Sequence, residues 1–301
     1  MLLLLTVLPA AGCSETNGPG ADSYAAFDGG RALEQVAAQV AFGPRVPGTT
    51  GYLACRTYLT EQLGRLADSV WTDRWSHATA VGDTIELANI GAVFNPASAS
   101  RVLLCAHWDT RPVAEHDPDP ARRAQPIPGA NDGASGVAVL VELARVFSEN
   151  PPEVGVDIVL FDGEDYGDFN NLRDVLLGSS RFAATRKGYH PKLGILLDMV
   201  GDANAAFPYE GYSWNWIRDQ VELVWSTASR LGYGHVFPRQ EGPAVIDDHY
   251  PLIQAGIRCI DIVQMGLPYW HTTGDTPDKL SAASLEAVGR TLANVIYNIE
   301  I

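Results

Sequence analysis

Hydrophobic and polar positions change their period along this chain. Over 31–42 (RALEQVAAQVAF) and 52–66 (YLACRTYLTEQLGRL) apolar residues recur every three to four positions, which places them on one face of a helix. The GPRVPGTTG stretch between them is a loop, because its glycines and prolines interrupt both periodicities. Farther on, 101–106 (RVLLCA), 156–161 (VDIVLF), 193–197 (LGILL) and 258–263 (RCIDIV) are short, rich in leucine and β-branched residues, and almost continuously apolar. Continuous apolarity, as opposed to alternation, is the pattern of strands covered on both faces. Helical spacing returns at 134–147, 179–186, 215–231 and 281–298, and two further runs near 70–76 and 85–94 predict antiparallel strands at one edge. Strands alternating with helices predict an α/β fold, a single domain whose central sheet is mixed but mostly parallel, with helices on both faces. No repeat or linker divides residues 28–301.

The first residues follow a different logic. Residues 2–11 (LLLLTVLPAA) are apolar but too few to span a bilayer as a helix, which takes about 20 residues. They have the length of a signal-peptide core, and Ala10, Ala11 and Gly12 lead into Cys13. That arrangement resembles the lipobox of bacterial lipoproteins. It implies a signal peptide over 1–13, a flexible tether over 14–27, and an exported protein of the periplasm or outer envelope held to the membrane only through lipid on Cys13. Cys55, Cys105 and Cys259 then remain, an odd number that reads as buried thiols and not as a disulfide framework.

Composition narrows the partners. With 46% hydrophobic and 19% charged residues the chain can bury a large core, which excludes collagen-like, coiled-coil and largely disordered classes. Its 36 acidic residues against 21 basic ones leave a formal charge of −15. Nucleic acid is excluded as a partner, since phosphate needs a basic face. The same acidity suits the gathering of cations, either metal ions or positively charged amino termini.

The reactive side chains stand where the predicted strands end, the side of such a sheet on which ligands bind. RVLLCA runs into His107-Trp108-Asp109, VDIVLF into Asp162-Gly163-Glu164-Asp165, and LGILL into Asp198, while RCIDIV is followed after a short loop by Trp270-His271. Asp132 precedes the helix predicted at 134–147. Taken singly, an Asp before a helix is an N-cap and an Asp-Gly is a turn. Four strands that all run toward carboxylate or imidazole are another matter, because gathering such groups in one crevice costs several kcal/mol unless a cation neutralises them. Imidazole and carboxylates without thiolate suit catalytic zinc, with three protein ligands and one open position.

At these residues the chain resembles the zinc-dependent aminopeptidases with an α/β sheet and their relatives, the glutaminyl-peptide cyclotransferases. The motifs GPRVPGT, AHWDT, GANDGASG, FDGED, LLDMVGD, IDDHYPLIQAGI and YWHTTGDTPDKL occur in the order that family has them. The resemblance implies zinc ligands Asp132, Asp165 and His271, with Glu164 as general acid/base. It places Asp198 and Asp247 as hydrogen-bonding acids beside the metal and Trp270 as the substrate-pocket aromatic. Asp165 departs from the Glu the family commonly has, a side chain shorter by one methylene, roughly 1.5 Å. In two-zinc aminopeptidases a second ion uses the positions matching His107 and Asp198, with Asp132 bridging; His107 and Asp109 are accordingly candidates for a second metal or for supporting the first. Trp270-His271, the Asp247-Asp248-His249 triplet and LLDMVGDANAAFP favour the cyclotransferase branch: one zinc, peptide or protein N-termini as substrate, N-terminal Gln converted to pyroglutamate with release of ammonia. The alternatives are an aminopeptidase, with two zincs, and a surface lipoprotein without catalysis. His116 reads as a solvated loop residue, Arg45 as a buried ion-pair partner, Trp214, Trp216 and Trp225 as packing, His77, His190 and His235 as structural or exposed, and His249 as the start of a helix.

Overall fold

The computed structural model describes residues 26–300, so the leader, Cys13 and all but the last two residues of the expected tether lie outside the described part. Two helices open it, α1 (Gly29–Ala41) and α2 (Thr50–Leu66), separated by the GPRVPGTT turn. Each carries the cap its sequence offers: the Asp28 carboxylate accepts from the N–H groups of Gly30 and Arg31, and the Thr49 hydroxyl accepts from Tyr52 N–H. Then come β1 (Ser69–Ala78), β2 (Thr84–Phe94), β3 (Arg101–His107), α3 (Ala134–Glu149), β4 (Gly155–Phe161), α4 (Leu177–Thr185) and β5 (Leu193–Asp198). The rest is α5 (Gly211–Trp216), α6 (Arg218–Arg230), α7 (His249–Gln254), β6 (Ile260–Val263) and α8 (Ala282–Asn298).

The six strands form one mixed sheet in the order β1-β2-β4-β3-β5-β6. β4, β3, β5 and β6 run parallel; β2 pairs antiparallel with β4, and β1 antiparallel with β2, as the edge runs predict. An apolar layer on one face joins the sheet to α1, α2, α3, α6 and α8, and a smaller one around Leu103, Phe161, Phe182 and Leu252 packs α4 and α7 on the other. Cys55, Cys105 and Cys259 are free and buried. Among the described residues no helix is long and apolar enough to cross a membrane.

Helix α3 is the axis of the molecule, buried along most of its length. At Gly136 a Cβ would stand 2.3 Å from the Leu197 carbonyl oxygen, so only glycine lets α3 lie this close to β5. One expectation needs correction. The helix predicted over 215–231 is two helices, α5 and α6, because Ile217 leaves helical backbone (φ −137°) with its side chain in the core, 2% exposed. Asp132, expected as a metal ligand, does not cap α3: Gly133 holds the N-cap position at φ +90°, and Asp132 turns its carboxylate toward His107.

Candidate metal centre

The parallel strands deliver their C-terminal residues to one rim. β3 ends in His107 and β5 in Asp198, and the turn after β4 carries Asp162, Glu164 and Asp165. That turn is held by Asp109, fully buried, whose two carboxylate oxygens accept from the N–H groups of Glu164 and Asp165 at 3.2 Å each. Asp132 is presented from the loop before α3, which the Asp275 carboxylate fixes by accepting from Asn131 N–H (2.8 Å) and Asp132 N–H (3.1 Å). His271 closes the ring from the far end of the chain, at φ +52°, a left-handed backbone costing a non-glycine residue about 1–2 kcal/mol. Met199, beside Asp198, is likewise left-handed at +50°.

Asp132, Asp165 and His271 each offer a donor atom, and those atoms lie within 4.8 Å of one another, all three side chains buried. His271 Nε2 is 3.6 Å from Asp132 Oδ2 and 3.5 Å from Asp165 Oδ1. Two ligands about 2.0 Å from a tetrahedral ion sit about 3.3 Å apart, so this spacing fits a divalent cation. Two further features agree. His271 Nδ1 is taken up by Glu115 at 2.9 Å, which frees Nε2 for a metal. Asp165 Oδ2 is buried without any hydrogen-bond partner. A second triad shares Asp132: His107 Nε2 stands 3.2 Å from Asp132 Oδ1 and 3.1 Å from Asp198 Oδ1.

The electrostatics are those of a site built around positive charge. Burial, reinforced by the Asp132 charge, pushes Asp165 up to about 7. Burial pushes Glu164 well above the usual carboxylate range, with His107 pulling the other way and Asp165 and Asp247 adding to the rise. Asp247 rises likewise through burial and the charges of Asp198 and Asp248. Asp132 alone of the triad's acids is held low: burial acts to raise it, but the hydrogen bond and charge of His107 outweigh that. Burial acts to lower His107, yet Asp109, Asp132 and Asp198 keep it well above its ordinary value.

Comparisons with known proteins agree with this architecture. Residues 89–296 match the profile of Peptidase family M28. The chain belongs to that family. Among solved structures it is 40% identical to a glutaminyl cyclase of Tannerella forsythia, with a TM-score of 0.87 over 91% of this chain and 99% of that one. It is also 40% identical to a Zn-dependent exopeptidase of Parabacteroides distasonis, with a TM-score of 0.87 over 90% and 98% of the two chains. Among curated proteins, glutaminyl-peptide cyclotransferase of Bos taurus is 24% identical over 289 residues, 82% of this chain and 76% of its own.

In this M28 chain, Asp132, Glu164, Asp165, Asp198, Asp247, Trp270 and His271 all line one pocket of about 330 Å³, acidic at its floor and walled by apolar side chains such as Phe169, Val245 and Met265. His107 and Asp109 lie beneath that floor, buried. Sequence reasoning missed Arg111, Glu115 and Asp275. Arg111 donates through Nε to Glu115 Oε1 (2.6 Å) and through Nη1 to Asp165 Oδ1 (2.9 Å), so it steadies the shorter acid that stands in place of Glu. No local signal could have paired Glu115 with His271, 156 residues away. His116 is exposed but not simply solvated: its ring lies 4.9 Å from that of Trp270 and 5.5 Å from that of His271. Arg45, expected in an ion pair, instead donates to three backbone carbonyls, of Trp108, Pro128 and Gly129, at 3.2, 2.7 and 2.6 Å. Trp225 is fully buried and Trp214 stacks on Tyr209, whereas Trp216 is 52% exposed.

Proposed function

We propose that this protein is a zinc-dependent glutaminyl-peptide cyclotransferase, closing an N-terminal glutamine onto its own α-amino group with release of ammonia. The observation that carries the reading is that a triad spaced to hold a metal, a buried glutamate of raised pKa and an indole share one small pocket. The likeness to the Tannerella forsythia glutaminyl cyclase supports it. Asp132, Asp165 and His271 would hold a single zinc, which supplies Lewis acidity toward the substrate's γ-carbonyl oxygen.

The chain's own groups do the rest. Glu164 takes a proton from the α-ammonium, and the freed amine attacks the carbonyl carbon, Cδ, of the side-chain amide. The bond to the amide nitrogen breaks as Glu164 returns the proton to it, the ring nitrogen gives up its second proton, and ammonia and that proton leave together as ammonium. One carboxylate can serve both steps because burial raises its pKa well above the usual carboxylate range, so that it holds the proton between taking and returning it. Asp198 and Asp247, with raised pKa values, offer hydrogen bonds to the amide nitrogen. Trp270 provides an apolar surface for the glutamine methylenes, and the acidic floor attracts the α-ammonium.

A second reading, a two-zinc aminopeptidase, is favoured by the His107–Asp132–Asp198 triad and by the likeness to the Parabacteroides exopeptidase. Zinc per chain, together with ammonia release from a Gln-peptide and cleavage of a Leu-amide, separates the two. One zinc with ammonia release is expected; two tight zincs with amide cleavage and no cyclisation would refute the cyclotransferase. We also propose export and anchoring through Cys13, a reading that rests on residues 2–13 alone; labelled fatty acid incorporated equally by Cys13→Ser would exclude it.

A further inference from the structure

One wall of the pocket, residues 243–246, belongs to no helix or strand and carries Val245 and Ile246 to the substrate side. Among the described hydrogen bonds these four residues make two: Gly211 N–H to the Pro243 carbonyl (2.9 Å) and Val245 N–H to Glu210 Oε1 (2.9 Å). Behind the wall is a second cavity of about 90 Å³, to which Glu210, Pro243 and Val245 also contribute. The wall is therefore not backed by packed side chains at Pro243 and Val245; it hangs from residues 210 and 211.

Glu210 is an unusual residue for that place. It caps α5, a position where shorter Ser, Thr, Asp and Asn prevail. Here its carboxylate, 2% exposed, does more than cap. Oε1 accepts from Tyr212 N–H (2.9 Å) as well as from Val245, while Oε2 accepts from Ser213 N–H and Oγ (2.7 Å each) and stands 3.1 Å from His249 Nε2. An Asp could cap α5, but the extra methylene lets one carboxylate join α5, the wall and the start of α7. The Ser213 hydroxyl extends the hub to β6 by accepting from Asp261 N–H at 3.0 Å.

We propose that Glu210 is a positioning residue for substrate binding, holding the 243–246 wall at the distance from the metal triad and Glu164 that the substrate requires. The inference rests on the cyclotransferase reading and adds to it a residue outside the reacting groups. Because Glu210 acts on the wall and not on the metal or Glu164, its loss registers in KM and spares kcat.

The test uses three variants of the zinc-loaded enzyme. Glu210→Gln leaves one oxygen where two are used; it should raise KM for a glutaminyl peptide roughly tenfold, the worth of one charge-assisted hydrogen bond, with kcat within threefold and zinc content unchanged. Gly211→Ala leaves Glu210 intact but sets a Cβ 2.8 Å from the Ala244 backbone, pushing the wall, and should also raise KM. Ser213→Ala removes the arm to β6 and one bond to Glu210 Oε2 but keeps the Oε1 bond to the wall at Val245, and should lower Tm while leaving KM alone. The proposal is overturned if KM stays within twofold of wild type in the first two variants, or if Ser213→Ala raises it as much as they do. Should Glu210→Gln fail to fold, the other two variants decide. Hydrogen exchange at the Val245 amide gives a readout independent of catalysis: it should be strongly protected in the wild type, and unprotected exchange overturns the proposal. A wild type that releases no ammonia sinks the functional reading, while the amide exchange still judges the wall.

Discussion

Replacing Asp109 with Asn tests how the centre is assembled. The side chain is fully buried, and its two oxygens accept from Glu164 N–H and Asp165 N–H at 3.2 Å. Hydrogen bonds to a carboxylate contribute about 1.5–3 kcal/mol each, and an amide can reproduce only one of the two. Its NH2 group then faces the other backbone N–H, leaving donor against donor in a buried site. A relief works in the opposite direction, because the Asp109 charge presses on buried Asp162. That relief is small: Asp162 is pushed well above the usual carboxylate range chiefly by burial, and the Asp109 charge is the lesser cause. The bond loss wins, and we expect about 2 kcal/mol less stability in urea unfolding, a large share of the about 5–15 kcal/mol typical of a domain. Glu164 and Asp165 are the residues whose backbone is released, so kcat/KM should fall about 100-fold, the usual consequence of misplacing a reacting group by about 1 Å. Stability within 0.5 kcal/mol of wild type (roughly the scatter of a neutral surface change) together with unchanged turnover would show that Asp109 does not hold this turn.

Three further outcomes follow from the same geometry. Glu164→Gln should lower kcat by about 10²–10⁴-fold while metal analysis finds the same zinc content, since Glu164 is outside the donor triad; activity near wild type would remove it from the mechanism. The metal-stripped protein should melt at a lower temperature at pH 8 than at pH 5. Asp165, Asp248 and Asp275, each raised to about 7, and the raised His107 and His271 bind more protons folded than unfolded, so each contributes stability below its unfolded pKa and loses it as pH climbs through the folded one. Glu115 and Glu210, lowered to about 2, act in the opposite sense, but only below their ordinary 4.5. Added zinc should flatten this dependence, and a Tm independent of pH between 5 and 8 without metal would refute the assignment. Gly133→Ala places a Cβ 2.6 Å from the Asp109 carbonyl at φ +90°, and should cost at least about 2 kcal/mol in urea unfolding; a neutral result would mean the loop presenting Asp132 is free to move.

Period and composition carried the fold a long way. The four apolar runs are β3, β4, β5 and β6, each identified by being apolar on both faces, a property a strand shows without reference to its neighbours. The acids and imidazoles at their C-terminal ends were equally legible, because a parallel sheet sends every strand's end to one rim whatever the connections between them. What the sequence could not settle was the break at Ile217, where burial of one side chain overrides continuous helical spacing. Nor could it supply the partners that hold the site. Glu115 meets His271, Asp275 meets the Asn131 and Asp132 amides, and Glu210 meets Val245 across sequence separations of 156, 144, 143 and 35 residues. A metal ligand declares itself by its chemistry, since few other side chains can bind a cation. Its supports are ordinary acids and arginines whose roles exist only as distances, and distance is what folding decides.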